Sequence, residues 1–202
     1  MAVKVERTGM LLIISGPSGT GKGTLVEKLM NIDPSFRFSC SVTTREPRNG
    51  EIEGVHYHFV TEEAFQKLVA QGAFLEHATV HGHNYGTLRA PVEQMMQSGC
   101  NVLLDIDTQG ALNVMQNAKD YVSVFIMPPS FQDLRVRLHH RRTDDEAEIE
   151  RRLRNARQEV QKTDRYQYVV VNDNLELAFA QLQAIVTAEK LRTTRCKTTL
   201  VD

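Results

Sequence analysis

The chain predicts an α/β fold, a three-layer core in which helices cover both faces of a parallel sheet, interrupted by two insertions. Four apolar runs read as its strands: Met10–Ser15, Val102–Asp107, Tyr121–Met127 and Tyr168–Asn172. The first two carry Leu, Ile or Val at both odd and even positions, and Tyr121–Met127 sets Phe125 and Met127 opposite Val122, Val124 and Ile126, as strands covered on both faces must. Helical patterns fall between or after them, over Thr24–Met30, Glu62–Gln71, Pro91–Ser98, Phe131–Arg141, Glu146–Gln161 and Leu175–Arg192. Strands alternating with helices make βαβ units and hence a parallel sheet.

The first strand runs directly into Gly16-Pro17-Ser18-Gly19-Thr20-Gly21-Lys22, and a helix follows. This G-x-x-x-x-G-K spacing in a strand–turn–helix context is a phosphate-binding loop. Glycines let the backbone wrap with its N–H groups inward, the helix N-terminus adds positive potential, and Lys22 reaches the β- and γ-phosphates. The competing reading, a glycine-rich turn with a solvated lysine, lacks a reason for the flanking strand and helix. The loop predicts binding of a nucleoside triphosphate through residues 16–24. Its one departure is Gly23, where a Ser or Thr hydroxyl usually helps to hold Mg²⁺; the hydroxyl comes one place later, at Thr24. One helical residue rotates a side chain by about 100°, so a metal contact by Thr24 is left open.

The long gap between the first and second strands is too polar for a simple crossover. Residues 39–90 are turn-rich, with short alternating stretches such as His56-Tyr57-His58-Phe59-Val60, and read as an inserted lobe with antiparallel strands. A second insertion, 134–162, is dense in arginine. The core is then 9–38, 91–133 and 163–192, and the tail 193–202, without apolar periodicity, reads as loose.

With 202 residues, 24% of them charged, and a net charge of −1, the chain has no global basic field to attract nucleic acid or a membrane surface. No apolar stretch approaches the ~18–20 residues of a membrane span, and the start has no signal-peptide core. Three scattered cysteines, Cys40, Cys100 and Cys196, form no metal-like spacing and fit a reducing, cytoplasmic setting. His77, His81 and His83 stand close together but lack partners of metal-binding spacing, and no zinc is expected.

Thr43-Thr44-Arg45-Glu46-Pro47-Arg48-Asn49-Gly50-Glu51-Ile52-Glu53-Gly54-Val55-His56-Tyr57-His58-Phe59 resembles the guanylate kinase signature T-[ST]-R-x-x-[KR]-x-x-[DE]-x-x-G-x-x-Y-x-[FY] at every fixed position. The resemblance extends through the phosphate loop, Phe74-Leu75-Glu76, Asn84-Tyr85-Gly86-Thr87, Leu104-Asp105-Ile106-Asp107, Pro128-Pro129-Ser130 and Val171-Asn172-Asp173. It implies transfer of the γ-phosphoryl of MgATP to GMP, on a phosphate-loop core that carries a GMP-binding lobe and an arginine-rich helical lid. ATP and GMP are then the small-molecule partners and Mg²⁺ the cofactor, while protein partners are not indicated.

The resemblance implies a role for each matching residue. Arg45, Arg48, Tyr57 and Tyr85 bind the GMP phosphate, a task that suits planar guanidinium forks and uncharged hydroxyl donors. Ser41, Thr87, Glu76 and Asp107 read guanine. Carboxylates match its N1–H and N2 donors, whereas adenine would set a lone pair against them. Glu76 and Asp107 are equally able to serve as ion-pair partners of nearby arginines. Asp105, ending an apolar strand beside the loop, is assigned to Mg²⁺ through water, with helix capping as the alternative. Arg137, Arg141 and Arg152 clamp the ATP phosphates and stabilise transition-state charge, and Asn172 approaches adenine. Arg135, Arg154 and Arg157 read as a solvated face. A different nucleoside monophosphate kinase would lack the combination of Ser41, Glu76 and Asp107. A non-catalytic scaffold relative would typically have lost the phosphate loop.

Overall fold

The computed structural model describes residues 2–80, 82–140 and 145–201. In chain order the elements are β1 (Ala2–Arg7), β2 (Leu11–Ser15), α1 (Lys22–Ile32), β3 (Phe36–Phe38), β4 (Ser41–Thr43), β5 (Tyr57–Phe59), α2 (Glu62–Ala70), β6 (Phe74–Val80) and β7 (His83–Leu88). There follow α3 (Arg89–Gln97), β8 (Asn101–Asp105), α4 (Thr108–Asn117), β9 (Val122–Met127), α5 (Phe131–His140), α6 (Glu146–Val160), β10 (Tyr168–Val171), α7 (Leu175–Lys190) and β11 (Cys196–Val201).

The central sheet is wholly parallel, in the order β10-β9-β2-β8-β3. The two-residue period of a strand divides β2 between two cores. Leu12 and Ile14 join Leu25 and Leu29 of α1 and Leu182 and Val186 of α7. Leu11 and Ile13 join Val92 of α3 and Ala111 and Val114 of α4 on the opposite face. This division makes the three layers, and each such side chain contributes about 1.5–3 kcal/mol by leaving water. The strand order reverses beside β2, so ligands are expected at the carboxyl ends of β2 and its neighbours.

Some elements differ from the sequence expectation. The strand expected over Val102–Asp107 ends at Asp105, because Asp107 caps α4, its Oδ1 accepting from Gly110 N at 2.8 Å. Neither α4 nor the three-residue β3 was expected, since short polar helices and short edge strands carry little periodicity. The inserted lobe holds a second sheet, β5-β4-β7-β6, in which β4–β7 and β7–β6 are antiparallel but β4–β5 is parallel. It has its own small core of Val42, Phe65 and Phe74, the two rings stacked with centroids 4.7 Å apart.

The tail is not loose. β11 pairs antiparallel with β1, joining the two ends of the chain, and Arg195 just before it is 2% exposed. Its guanidinium grips Asp120 and Glu189, and its carbonyl accepts from Thr8 N at 3.0 Å. Helices α5 and α6 pack as a pair through Leu134, Leu138, Ile149, Leu153 and Ala156. Asp145 caps α6 by accepting from Glu148 N at 2.8 Å. No described helix is long and apolar enough to cross a membrane.

Candidate nucleotide site

The phosphate loop leaves β2 at the expected edge. Gly16, Gly19 and Gly21 have φ of 136°, 90° and 88°, a region L side chains rarely enter. A Cβ on Gly16 would lie 2.2 Å from the Ile126 carbonyl oxygen, and one on Gly21 would lie 2.4 Å from Asn172 Nδ2. Thr20 is buried and its Oγ1 donates to Pro17 O at 2.9 Å, while Asn172 Nδ2 donates to Thr20 O at 2.7 Å. Lys22 opens α1, and its ammonium donates to Gly16 O and, at 3.2 Å, to Pro17 O. Gly21→Ala is therefore expected to displace Asn172 and weaken nucleotide binding by roughly 10-fold, through strain of about 1–3 kcal/mol. Titration with a fluorescent ATP analogue checks this.

Gly16, Ser18, Gly19, Gly21, Lys22 and Gly23 border a cavity of about 420 Å³, closed on its other side by Asp105, Ile106, Asp107 and Glu159. Burial raises the Asp105 pKa, and the charge of Lys22 works against that rise. Glu159 is a member of this wall that the sequence did not single out, being one acid in a charged helix. Its carboxyl is likewise pushed up by burial and held down by Lys22. Thr24 does not face this cavity. It borders a second one of about 260 Å³ with Gly19, Gly21, Arg137, Asn172, Asp173 and Leu175, whereas Asp105 borders the first. Among the described residues no group of three or more His, Cys, Asp or Glu side chains could hold a metal by themselves.

The lobe presents the other group. Arg45 ion-pairs with Glu51 at 2.8 Å and stacks over Tyr57, its Cζ 5.6 Å from the ring centroid. Tyr85 stands edge-on to Tyr57 at 6.0 Å. Glu51 raises the Arg45 pKa, Tyr85 adding to the effect, and Arg45 lowers that of Glu51. Arg48 is exposed, its backbone N–H bound to Glu51 Oε2 at 2.7 Å. Ser41 begins β4, half-buried. Thr87 Oγ1 donates to Glu76 Oε1 at 2.8 Å. Neither Glu76 nor Asp107 ion-pairs with an arginine in any described contact; they are held by Thr87 and Gly110 N instead. Burial raises the Glu76 pKa, with a smaller push from the charge of Asp107. A Cβ on Gly110 would lie 3.5 Å from both Glu76 Oε2 and Asp107 Oδ1, so these two carboxylates flank one point.

The helical pair α5–α6 leans on the phosphate loop. A Cβ on Gly19 would lie 3.0 Å from Leu134 Cδ1 and Leu138 Cδ2. Arg137 Nη2 donates to Asn172 O at 2.9 Å, and Arg152 Nη1 donates to Ser18 Oγ at 3.0 Å. Arg152 also pairs with Glu148, whose carboxyl is lowered to about 2 by Arg151 and Arg152. Arg141 lies outside the described residues. Of the arginines read as a solvated face, Arg135 binds Glu146 and Glu150, and Arg157 covers the Phe131 ring at 5.1 Å. Asn172 was expected beside adenine; its amide is committed to Thr20, so it braces the loop while bordering the Thr24 cavity.

A phosphate loop, a pair of carboxylates and an arginine-bearing helical hairpin thus converge on one edge of the sheet. Residues 8–189 match the family model described as guanylate kinase. The chain belongs to the guanylate kinase family. A guanylate kinase of Clostridium perfringens is 44% identical over 197 residues, covering 98% of this chain and 91% of that relative. One from Chelativorans sp. is 49% identical over 189 residues, 93% and 87% of the two chains. Among solved structures, a guanylate kinase from Anaplasma phagocytophilum is similar with a TM-score of 0.70 at 35% identity, covering 96% of this chain and 93% of that one. The family match extends over core, lobe and helical pair, and makes the chain an enzyme of the guanylate kinase type, a nucleotide-binding transferase.

Proposed function

We propose that the chain transfers the γ-phosphoryl group of MgATP directly to the phosphate of GMP, giving ADP and GDP, within cytoplasmic purine nucleotide metabolism. The observation that carries this reading is that Asp107 borders the same cavity as Lys22 while sharing the Gly110 position with Glu76. A base held by that carboxylate pair stands next to a triphosphate held by the loop.

In this reading the loop 16–24 cradles the triphosphate, Lys22 turns from its own carbonyls to the β- and γ-phosphates, and adenine takes the cavity bordered by Thr24 and Asn172. Arg45 and Arg48, with the Tyr57 and Tyr85 hydroxyls, grip the acceptor phosphate; Glu51 orients Arg45 for that task. Ser41, Thr87, Glu76 and Asp107 read guanine. Arg137, Arg141 and Arg152 neutralise charge as the phosphoryl group moves, which is where such transfer gains most of its rate. The residues fit a Mg²⁺ ion that arrives on the nucleotide: Asp105 would hold it through water, and among the described residues no cluster of protein ligands would cage it, as magnesium prefers. The ion would neutralise the developing charge on the phosphates. Segments 39–90 and 134–162 act as GMP lobe and lid around the core 9–38, 91–133 and 163–192.

ADP release measured with GMP, dGMP, AMP, UMP and CMP as acceptors tests the reading. Turnover with GMP far above AMP and the pyrimidines is expected, and equal rates across bases would refute the base assignment.

Glu76→Gln keeps the shape and removes the charged acceptor, a loss of about 1.5–3 kcal/mol, or roughly one to two decades in the GMP constant. The ATP constant should hold. Because burial raises the Glu76 pKa, the ionised acceptor is present only above that raised value. The KM for GMP of the parent is therefore expected to climb as pH falls through a midpoint above the ordinary glutamate range, and this limb should vanish in Glu76→Gln.

A further inference from the structure

Glu159 stands on the last turn of α6 and borders the phosphate cavity together with Lys22 and Asp105. Seven residues separate it from Arg152, so two helical turns bring both onto one face of α6. Arg152 reaches Ser18 of the loop at 3.0 Å. One face of the lid helix thus spans the phosphate loop, with a guanidinium toward one end and a carboxylate toward the other.

Glu159 also borders a neighbouring cavity of about 250 Å³ that includes Asp107 and Thr108, the cap and first residue of α4. The Thr108 hydroxyl is buried and makes no hydrogen bond of ordinary geometry among the described residues, and the same holds for Tyr166 Oη. Thr108 and Glu159 line this cavity together, so an unpartnered hydroxyl and a carboxyl open onto one space. A carboxylate turned toward a triphosphate repels it, so its presence in this wall calls for a role other than binding the nucleotide.

We propose, building on the phosphoryl-transfer reading above, that Glu159 is a positioning residue that keys the lid helix to the phosphate loop. Its carboxylate shares one cavity with Thr108 and another with Lys22. It thereby sets the height at which α6 carries Arg152 over the phosphates. As the triphosphate enters, the Thr108 hydroxyl, which has no partner among the described residues, is available to the carboxylate as a donor. The anchor of α6 on α4 then tightens as the lid closes.

The test compares Glu159→Gln, Thr108→Val and the double variant with the parent in the full chain. Glu159→Gln should lower kcat on the order of 100-fold, the scale of a small misplacement at a reacting centre. The KM for GMP should stay within about two-fold and the melting temperature within about 2 °C, as for a substitution outside the core. Thr108→Val should lower kcat by roughly 10-fold, and the double variant should be no slower than Glu159→Gln, because groups acting as one unit are not additive. Fluorescent labels at Arg154 on α6 and Gln116 on α4 supply a readout apart from turnover. The distance change induced by a non-hydrolysable ATP analogue should be lost in Glu159→Gln. An active parent with Glu159→Gln within about two-fold of its kcat, or with full label movement, overturns this inference alone. A parent without GMP-dependent ADP release overturns the phosphoryl-transfer reading and this inference with it.

Discussion

Lys22→Met is expected to lower kcat by about 10²–10³-fold while the protein stays folded. Methionine keeps the unbranched stem on the first residue of α1, so packing around the loop changes little. What is lost is a charge aimed into the cavity, and a preorganised donor of this kind accounts for roughly that factor. The ammonium rests on the carbonyls of Gly16 and Pro17, and Lys22 borders the same cavity as Asp105. The lysine therefore has a short path to the phosphates. A melting temperature within about 2 °C of the parent, measured beside ADP release, separates loss of chemistry from loss of fold. Near-parental turnover in the folded variant would remove Lys22 from the mechanism.

Arg195→Met should show the opposite signature, a large loss of stability with turnover per folded molecule preserved. Arg195 is buried and bonded to Asp120 through Nε at 3.0 Å and through Nη2. It also bonds to Glu189, which in turn accepts from the Tyr168 hydroxyl at 2.6 Å. Removing the cation leaves Glu189, only 5% exposed, with the more exposed Arg192 at 3.4 Å as its remaining charge partner. Breaking a buried pair in this way costs about 3–5 kcal/mol, and the partial exposure of Asp120 favours the lower end. The melting temperature should fall by about 6–12 °C. The sign of the pH effect is fixed. Burial pushes the Glu189 carboxyl up, but Tyr168 and Arg195 outweigh it, so its pKa is lowered in the folded state. The stabilisation is present above the ordinary glutamate value and is lost as pH falls through the lowered one. The gap between parent and variant should therefore narrow in acid. Adding Glu189→Gln should restore part of the stability, because a neutral amide is less costly to bury than an unpaired charge.

Arg195 also shows where reading the chain as text fails. Residues 193–202 carry no apolar rhythm, and the partner of β11 is β1, at the far end of the chain. Backbone pairing and one buried guanidinium order the tail, and neither leaves a periodic trace. Glu159 escaped for a related reason. In an arginine-rich helix every acid looks like a surface partner, and only the fold, by bringing the end of α6 beside the loop, puts this one on the cavity wall. Helix α4 was missed because its start is set by the Asp107 cap more than by a hydrophobic stripe.

The sequence by itself determined the parallel core, since β2, β8 and β9 must bury both faces and say so residue by residue. It determined the phosphate loop as well, because three turns with positive φ next to a reaching lysine can be built by few other residues. The guanylate kinase resemblance was carried by the run from Thr43 to Phe59 on the same terms, as local spacing. Tertiary structure alone decided which side chains share a space: Asp107 on the Lys22 cavity beside Glu76, Thr24 on a separate cavity with Asn172, Asn172 bonded to the loop carbonyl, Arg45 held by Glu51. Local patterns record how a segment meets solvent and its own backbone. Which distant segment lies across a cavity depends on strand order and helix packing, where one residue of rotation, about 100° on a helix, is enough to exchange one partner for another.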